Sequence, residues 1–315
     1  MFAPRSTATW QLRTRSLELG ARTLVMAVVN ITPDSFSDGG AFLATQTAIS
    51  HALQCLDEGA DILDLGAEST RPGSRAGGVP ESAHAPAVSA DEEQARLLPV
   101  LKGILSARPH AVISVDTYKA STARAALAAG AEIINDVSGF TWDPEMSLVC
   151  AEARAGVVLM HTRGRPEEWR TQAQLAPEAL IALVRDGLAT SLATAQRSGI
   201  PPQAITLDPG YGFGKRFGEN YALLARQPEL LSLGRPLLAG VSRKSFLGHT
   251  LAPLHGNTPA PADQRETASI AAMVASILKG ASVVRVHTVR PAVEAGLIAD
   301  AIISARRSES TPNLQ

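Results

Sequence analysis

The amino-acid sequence predicts a single (β/α)8 barrel of the TIM type, with long loops after its first two strands. About eight short apolar runs alternate with amphipathic helical stretches along the 315 residues. A Gly, often followed by Ala, marks many of the junctions between a helical stretch and the next run. Apolar residues make up 45% of the chain and aromatic residues only 4%, as buried parallel strands require. On this pattern alone, an open doubly wound sheet remains the alternative.

The predicted strands follow from these apolar runs, each of which is too short to form a helix. The clearest runs follow Gly59, Gly130, Gly156 and Gly280, which we expect to end helices in the left-handed conformation. The strands are predicted at 24–29, 61–65, 112–115, 132–135, 157–160, 205–207, 237–240 and 283–286. The alternation in Trp10-Gln11-Leu12-Arg13 predicts a further short strand before the barrel.

Helices are predicted between the strands, because apolar residues recur there at helical spacing. Three such faces are Ile49, Leu53 and Leu56; Ile181, Val184, Leu188 and Leu192; and Ile270, Met273, Val274 and Ile277. Pro291 suits the first turn of the last helix. Strict alternation of strand and helix favours the closed barrel over the open sheet.

The domain organisation is predicted to be simple. One barrel domain spans 1–307, with a short strand region at 1–20. Residues 72–90 are rich in Gly, Ala, Pro and Ser without periodicity, which predicts a long loop after the second barrel strand. We expect a disordered tail at 308–315.

Composition and charge narrow the classes of function. A net charge of −1 provides no overall field for nucleic acid or an anionic membrane surface. Cys55 and Cys150 lie in predicted helices and are expected to be buried free thiols. No apolar run reaches the length of about 20 residues that crosses a membrane. The first residues lack an apolar signal segment, so a cytoplasmic protein is expected.

Polar side chains follow every predicted strand, at the barrel end where active sites form. They are Asn30; Asp64 and Glu68; Asp116; Asn135 and Asp136; His161, after Met160; Asp208; Ser242, Arg243 and Lys244; and Arg285 and His287. Asp64 and Asp136 could instead cap turns, and His161 could be a structural histidine. Convergence on one rim favours a binding site.

The residue types at this rim suit a particular kind of ligand. Asp116, Asn135 and Asp208 suit a flat heterocycle that carries several N–H donors. The cationic donors suit a phosphate or diphosphate, and Asn30 is available to a hydrated metal. These cationic donors are Arg71, Lys244, Arg285 and His287. No Ser-His-Asp, HExxH or three-histidine zinc pattern is present, and the glycines at 210–214 lack the spacing of a nucleotide phosphate loop.

Eight short motifs resemble those of the dihydropteroate synthase family, in the order of that family. They are NITPDSFSDGG at 30–40, ESTRPG at 68–73, VDT at 115–117, INDVSG at 134–139, LMH at 159–161, DPG at 208–210, GFGK at 212–215 and SRKS at 242–245. Together they cover nearly the whole chain from about residue 21 to 300. The resemblance implies a TIM barrel, usually a homodimer, that joins a hydroxymethyl-dihydropterin diphosphate to p-aminobenzoate.

The resemblance also implies roles for individual residues. The pterin ring is bound by Asp116, Asn135, Asp208 and Lys244 and packs against Met160 and Phe213. The diphosphate is bound by Asn30, Arg71, Arg285 and His287, and Mg²⁺ assists at Asn30. The p-aminobenzoate pocket, which sulfonamide drugs occupy in the family, is lined by Phe36, Thr70, Pro72 and Ser242. The residues expected to act in catalysis are Arg71, Asp116, Lys244 and Arg285.

Three departures from the family pattern are visible. Thr288 stands where the pattern has Asp, Ala67 replaces a Gly, and the loop after Pro72 is several residues longer. We expect Thr288 to be tolerated, because Arg285 and His287 remain. Two other functions stay open: a barrel that passes the methyl group of methyltetrahydrofolate to a corrinoid protein, and a paralog that binds pterin without turnover.

Overall fold

The computed structural model describes residues 5–31, 41–68 and 88–309. Eight parallel strands close into a barrel. The predicted closed barrel is therefore confirmed, and the open doubly wound sheet is excluded. In barrel order the strands are β10 (Ala281–Val286), β3 (Leu24–Asn30), β4 (Ile62–Gly66), β5 (Ile113–Asp116), β6 (Ile133–Asp136), β7 (Gly156–Met160), β8 (Ile205–Asp208) and β9 (Leu237–Ala239). Every strand lies within two residues of its predicted bounds.

Helices surround the barrel. They are α1 (Ala41–Asp57), α2 (Ala90–Ala107), α3 (Ala120–Ala128), α4 (Met146–Ala153), α5 (Pro177–Arg197), α6 (Phe217–Arg226), α7 (Ser245–Thr250), α8 (Glu266–Leu278) and α9 (Val289–Glu309). Pro291 lies in the first turn of α9, as predicted. This helix includes Ser308 and Glu309, two residues of the predicted tail. The rest of that tail lies outside the described residues.

Three of the four predicted junction glycines adopt the left-handed conformation. Gly59, Gly130 and Gly280 have φ values of 104°, 113° and 99°. The prediction was wrong at Gly156, because α4 ends with Arg154 in the left-handed region, at a φ of 55°. Gly156 instead permits close packing, since a Cβ there would lie 2.6 Å from a methyl of Leu12.

A hairpin packs against one end of the barrel. The predicted N-terminal strand is β1 (Ala8–Gln11), and it pairs antiparallel with β2 (Ser16–Leu19). Trp10, Leu12 and Leu19 are buried against apolar side chains of the barrel. The Trp10 indole N–H donates to the carbonyl of Ala204 at 3.0 Å. The hairpin therefore covers the end where the strands begin.

The alternation of side chains along each strand divides the core into an outer and an inner part. On β3, Val25 and Ala27 belong to the outer cluster under the helices, whereas Met26 belongs to the inner cluster beneath the hairpin. Where the strands begin, the inner positions are apolar. They include Ile62, Val112, Ile133, Val158, Leu238 and Val283. Toward the carboxyl ends of the strands, the inward-facing positions are polar. Because these side chains all face the barrel interior, they lie together and form the candidate site.

Both cysteines are buried and unpaired, as predicted. Burial raises the pKa of the Cys55 thiol to about 11, which leaves it protonated and unreactive at neutral pH. Within the described ranges, no helix is long and apolar enough to cross a membrane.

Candidate active site

A buried cluster of opposite charges forms the centre of the site. Arg285, at the end of β10, donates from Nε to Asp64 Oδ2 at 2.6 Å and from Nη2 to Asp116 Oδ2 at 2.8 Å. Asn135 Nδ2 donates to the same oxygen of Asp64 at 3.0 Å. Four residues from four strands are thus joined across the inner face of the barrel.

Asp64 is a member of this cluster and does not cap a turn. Its side chain is fully buried. It accepts one hydrogen bond from Arg285 and one from Asn135, which orients both side chains. Asp136 is the aspartate that caps a turn, since its carboxylate accepts from the backbone N–H groups of Ser138 and Phe140, both at 2.8 Å. The two aspartates differ in parity: Asp64 faces the barrel interior, and Asp136 faces the helices.

Burial and neighbouring charges change the titration of the site. Burial raises the pKa of Asp116 to about 7, with Arg285 opposing this change and Asp64 adding to it. Burial also raises the pKa of Asp208. For Arg285, burial lowers the pKa, but the carboxylates of Asp64 and Asp116 outweigh it and the net shift is upward. Arg285 therefore stays cationic, while Asp116 titrates close to neutral pH.

Lys244 lies over an aromatic ring at the same end of the barrel. Its Nζ is 3.9 Å from the centre of the Phe213 ring. Burial lowers the pKa of Lys244 to about 8, as does Arg285, while Asp208 and Asp116 raise it. The ammonium group is therefore weakly hydrated and close to two carboxylates, a position from which it can donate to a polar ligand.

The loop between β8 and α6 holds Phe213 in place. Asp208 Oδ1 accepts from the backbone N–H of Gly210 at 2.7 Å. The buried Lys215 ammonium donates to the carbonyls of His161 and Gly210 at 2.9 and 2.7 Å. His161 is therefore a backbone partner in this loop. Its side chain is buried and its Nδ1 has no hydrogen-bond partner among the described residues, which is unlike a fully hydrogen-bonded structural histidine.

One wall of the site is apolar. Met160, at the end of β7, is buried with Tyr118 and Val137, and Trp142 and Phe213 pack against this group. Tyr118 and Trp142 meet edge to face, with ring centres 5.1 Å apart. Such a wall can cover the face of a flat ring whose edges carry polar groups.

Two glycines, which the sequence reasoning missed, leave space at the centre. A Cβ on Gly66 would lie 3.7 Å from the Cβ of Asp116. A Cβ on Gly240 would lie 3.7 Å from Asp208 Oδ2 and 3.9 Å from the Cβ of Arg285. The alternation of side chains along the strands places both positions on the inner face, and this could have identified them from the sequence. A side chain at either position would occupy the space beside the polar groups.

Three further predicted residues, Asn30, Ser242 and His287, lie at the carboxyl ends of barrel strands, as expected. His287 and Ser242 are in contact, with His287 Nδ1 3.0 Å from Ser242 Oγ. Asn30 ends β3 beside Gly66 and is exposed. Phe36, Thr70, Arg71 and Pro72 lie outside the described residues. In the described part of the chain, no three His, Cys, Asp or Glu side chains are grouped so that they could hold a metal ion.

This arrangement defines a TIM-barrel enzyme site with acceptors for a polar flat ring and cationic donors for an anionic group. Residues 26–287 match the sequence profile of the pterin binding enzyme family. The chain therefore belongs to the pterin-binding enzymes.

Individual relatives agree with this assignment. The chain is 40% identical to a dihydropteroate synthase of Synechocystis, covering 90% of this chain and 91% of the relative. A Clostridium difficile dihydropteroate synthase solved in the presence of pteroic acid is 39% identical, with a TM-score of 0.77 and coverage of 90% and 98%. A Yersinia pestis enzyme solved with a sulfonamide drug complex is 36% identical, with a TM-score of 0.81 and coverage of 94% and 99%.

Proposed function

We propose that the chain is a dihydropteroate synthase. It joins the exocyclic methylene carbon of 6-hydroxymethyl-7,8-dihydropterin diphosphate to the amine nitrogen of p-aminobenzoate. The C–O bond to diphosphate breaks, the C–N bond forms, and the amine loses a proton. The observation that carries the proposal is the buried contact of Arg285 with Asp64 and Asp116 beside Lys244.

The pterin ring is assigned to the buried polar residues. Asp116 and Asp208 accept from the N–H groups of the ring edge, and the Asn135 amide serves a mixed donor and acceptor edge. Lys244 donates to a ring acceptor. Met160 and Phe213 cover the ring faces, and Gly66 and Gly240 keep the slot open.

The diphosphate is assigned to Arg285, His287 and Arg71, which donate to its oxygens. Asn30 ends β3, the strand beside β10. Mg²⁺ fits a site with Asn30 as one protein oxygen, because this ion takes few protein ligands and completes its shell with phosphate oxygens and water. When bound, Mg²⁺ would neutralise charge on the leaving diphosphate.

The residues support departure of diphosphate before the amine attacks. Ionised Asp116 stabilises positive charge that develops on the pterin system as the C–O bond breaks. Arg285 and His287 stabilise the negative charge on the leaving group. An arylamine is neutral and nucleophilic at pH 7, so this route needs no strong base.

The same proposal includes the second substrate, the assembly and the location. Ser242, with Phe36, Thr70 and Pro72, binds p-aminobenzoate, and sulfonamides compete there. A homodimer in the cytoplasm is part of the proposal. Exposed apolar residues on α9 support the dimer, since such patches usually mark protein contacts.

Diphosphate release with Mg²⁺, measured with and without p-aminobenzoate beside detection of dihydropteroate, tests the proposal. Dihydropteroate formation is the expected result. Prompt diphosphate release without the amine supports the dissociative order, whereas strict dependence on the amine contradicts it. Pterin binding without any product would instead identify a non-catalytic paralog.

A further inference from the structure

The segment between β9 and α7 contains a left-handed residue that is not glycine. Arg243 has a φ of 57°, a conformation that residues with a Cβ rarely adopt without support from their surroundings. The neighbouring side chains point to the site: Ser242 contacts His287, and Lys244 lies over Phe213. The side chain of Arg243 runs the other way, toward α8. The left-handed backbone at Arg243 thus lets the side chains of Ser242 and Lys244 both face the site.

Helix α8 fixes the backbone of Arg243. Its N–H donates to Ser269 Oγ at 2.9 Å, and its carbonyl accepts from Arg265 Nη1 at 2.8 Å. Ser269 Oγ in turn donates to the carbonyl of Arg265 at 2.7 Å. Both backbone polar groups of the left-handed residue are therefore bonded to the start of one helix.

The side chain of Arg243 is bonded through a hydroxyl to a carboxylate. Arg243 Nη2 donates to Thr288 Oγ1 at 3.0 Å, and Thr288 Oγ1 donates to Glu266 Oε2 at 2.8 Å. Arg243 Nε lies 3.7 Å from the same oxygen of Glu266. A hydroxyl can accept from a guanidinium and donate to a carboxylate at once, so Thr288 bridges the pair. Thr288 directly follows His287, so the bridge connects the β9 and β10 sides of the site.

We propose that Glu266 and Thr288 are positioning residues that hold Arg243, and through it Ser242 and Lys244, in register with His287. Glu266 supplies from α8 the negative charge that faces Arg243. This inference rests on the proposed function, because Ser242 and Lys244 take their roles from it.

The carboxylate that holds Arg243 can therefore stand at position 266 or at position 288. A carboxylate at 288 would reach Arg243 directly, and a carboxylate at 266 reaches it through the Thr288 hydroxyl. Loss of Glu266 should therefore be repaired by Thr288→Asp. A residue that merely stabilised α8 would not be repaired from the end of another strand.

The experiment compares Glu266→Gln, Thr288→Asp, the double variant and the control Glu152→Gln. Glu152 pairs with Arg124 on the exposed surface of α4, so its loss should leave activity unchanged. Glu266→Gln should lower kcat/KM for dihydropteroate formation about tenfold, since a misplacement of about 1 Å costs up to about a hundredfold. The double variant should return to within about threefold of the parent. Unchanged activity in Glu266→Gln, or no recovery in the double variant, would overturn the proposal.

Two further measurements separate folding and function from positioning. Thr288→Val removes the bridging hydroxyl at nearly constant volume and should also lose activity, with little change in thermal unfolding. If the parent makes no dihydropteroate, the proposed function fails, and crystal structures of the parent and Glu266→Gln decide this inference. Movement of Lys244 away from the Phe213 ring supports it, and an unchanged Lys244 refutes it.

Discussion

Under the proposed function, the Asp116 carboxyl group serves both charge balance and recognition. It is bonded to Arg285, yet burial keeps its pKa at about 7. An ionised carboxylate accepts hydrogen bonds from ring N–H groups at both oxygens, whereas the protonated form places a donor at one of them. Ligand binding and ionisation of Asp116 are therefore coupled.

Pterin affinity should consequently rise with pH between about 6 and 7, with the dissociation constant falling up to about tenfold per pH unit below the pKa. The sign follows because the protonated form, which predominates below the pKa, binds poorly. Near pH 8 the pKa of Lys244 is reached, and loss of its proton opposes this rise. Fluorescence titration with a pterin that lacks phosphate measures this directly. Asp116→Asn should bind about a hundredfold more weakly at about pH 7.5 and lose the rise between about pH 6 and 7. A parent whose affinity is flat over this range would contradict the coupling.

Asp64 and Asp136 form a matched pair, since both are fully buried aspartates of barrel strands, on β4 and β6. Asp64→Asn removes one of the two carboxylates on Arg285, so kcat/KM should fall about ten- to a hundredfold, as expected for a lost charged hydrogen bond. Asp136→Asn weakens a turn cap and should lower the unfolding temperature while kcat/KM stays within about threefold. Steady-state kinetics and thermal unfolding of both variants check this. Equal kinetic losses in the two variants would show that Asp64 has no special relation to the site.

At the scale of an element, the β8–α6 loop is shaped by glycines that face other functional groups. Gly212 has a φ of 86°, and a Cβ there would lie 3.2 Å from Lys244 Cδ. Asp208, Lys215 and the loop backbone close the same turn from within. The loop therefore fixes Phe213 and Lys244 together.

Gly212→Ala should destabilise the protein by about 1–2 kcal/mol and weaken pterin binding, because the added methyl strains the backbone and displaces Lys244. Gly218→Ala is the control, since no atom of the described residues beyond the adjacent helix backbone lies within 4 Å of a Cβ at that position in α6. This control should leave binding unchanged and increase stability slightly. Chemical denaturation and pterin titration measure both effects. Equal binding by Gly212→Ala and the parent would show that Lys244 adjusts freely.

At the scale of the whole molecule, α9 presents apolar side chains to solvent. Leu297, Ile298 and Ile302 are 61%, 65% and 40% exposed. Isolated exposed apolar residues are common, but neighbouring ones on one helix usually mark a contact surface.

Light scattering should therefore give twice the mass of one chain for the parent protein. Leu297→Glu should shift the mass toward one chain, because a charge would be buried at the contact. Leu148→Glu is the control, since Leu148 is an exposed residue of α4 away from this patch. A parent that remains monomeric at high concentration would reject α9 as a dimer contact.

The strands and the rim residues could be predicted because both depend on local patterns, namely apolar runs and the polar residues that end them. The role of Asp64 could not, since it depends on Arg285, which lies 221 positions away in the chain. The bridge from Arg243 to Glu266 through Thr288 likewise joins three separate segments. Nor could the sequence show that Arg154, and not Gly156, ends α4 in the left-handed conformation. Gly156 is needed instead for its close packing against Leu12, which is distant in the chain.

The hairpin beneath the barrel has a kinetic consequence. Trp10, Leu12 and Leu19 seal the end where the strands begin, so substrates and product share the opposite entrance. The residues assigned to the pterin include Asp116, Asn135 and Asp208, which lie at the ends of barrel strands. Under the proposed function, a substrate bound nearer the opening would obstruct the pterin. We therefore expect the pterin to load first, and dead-end inhibition when the other substrate is in excess.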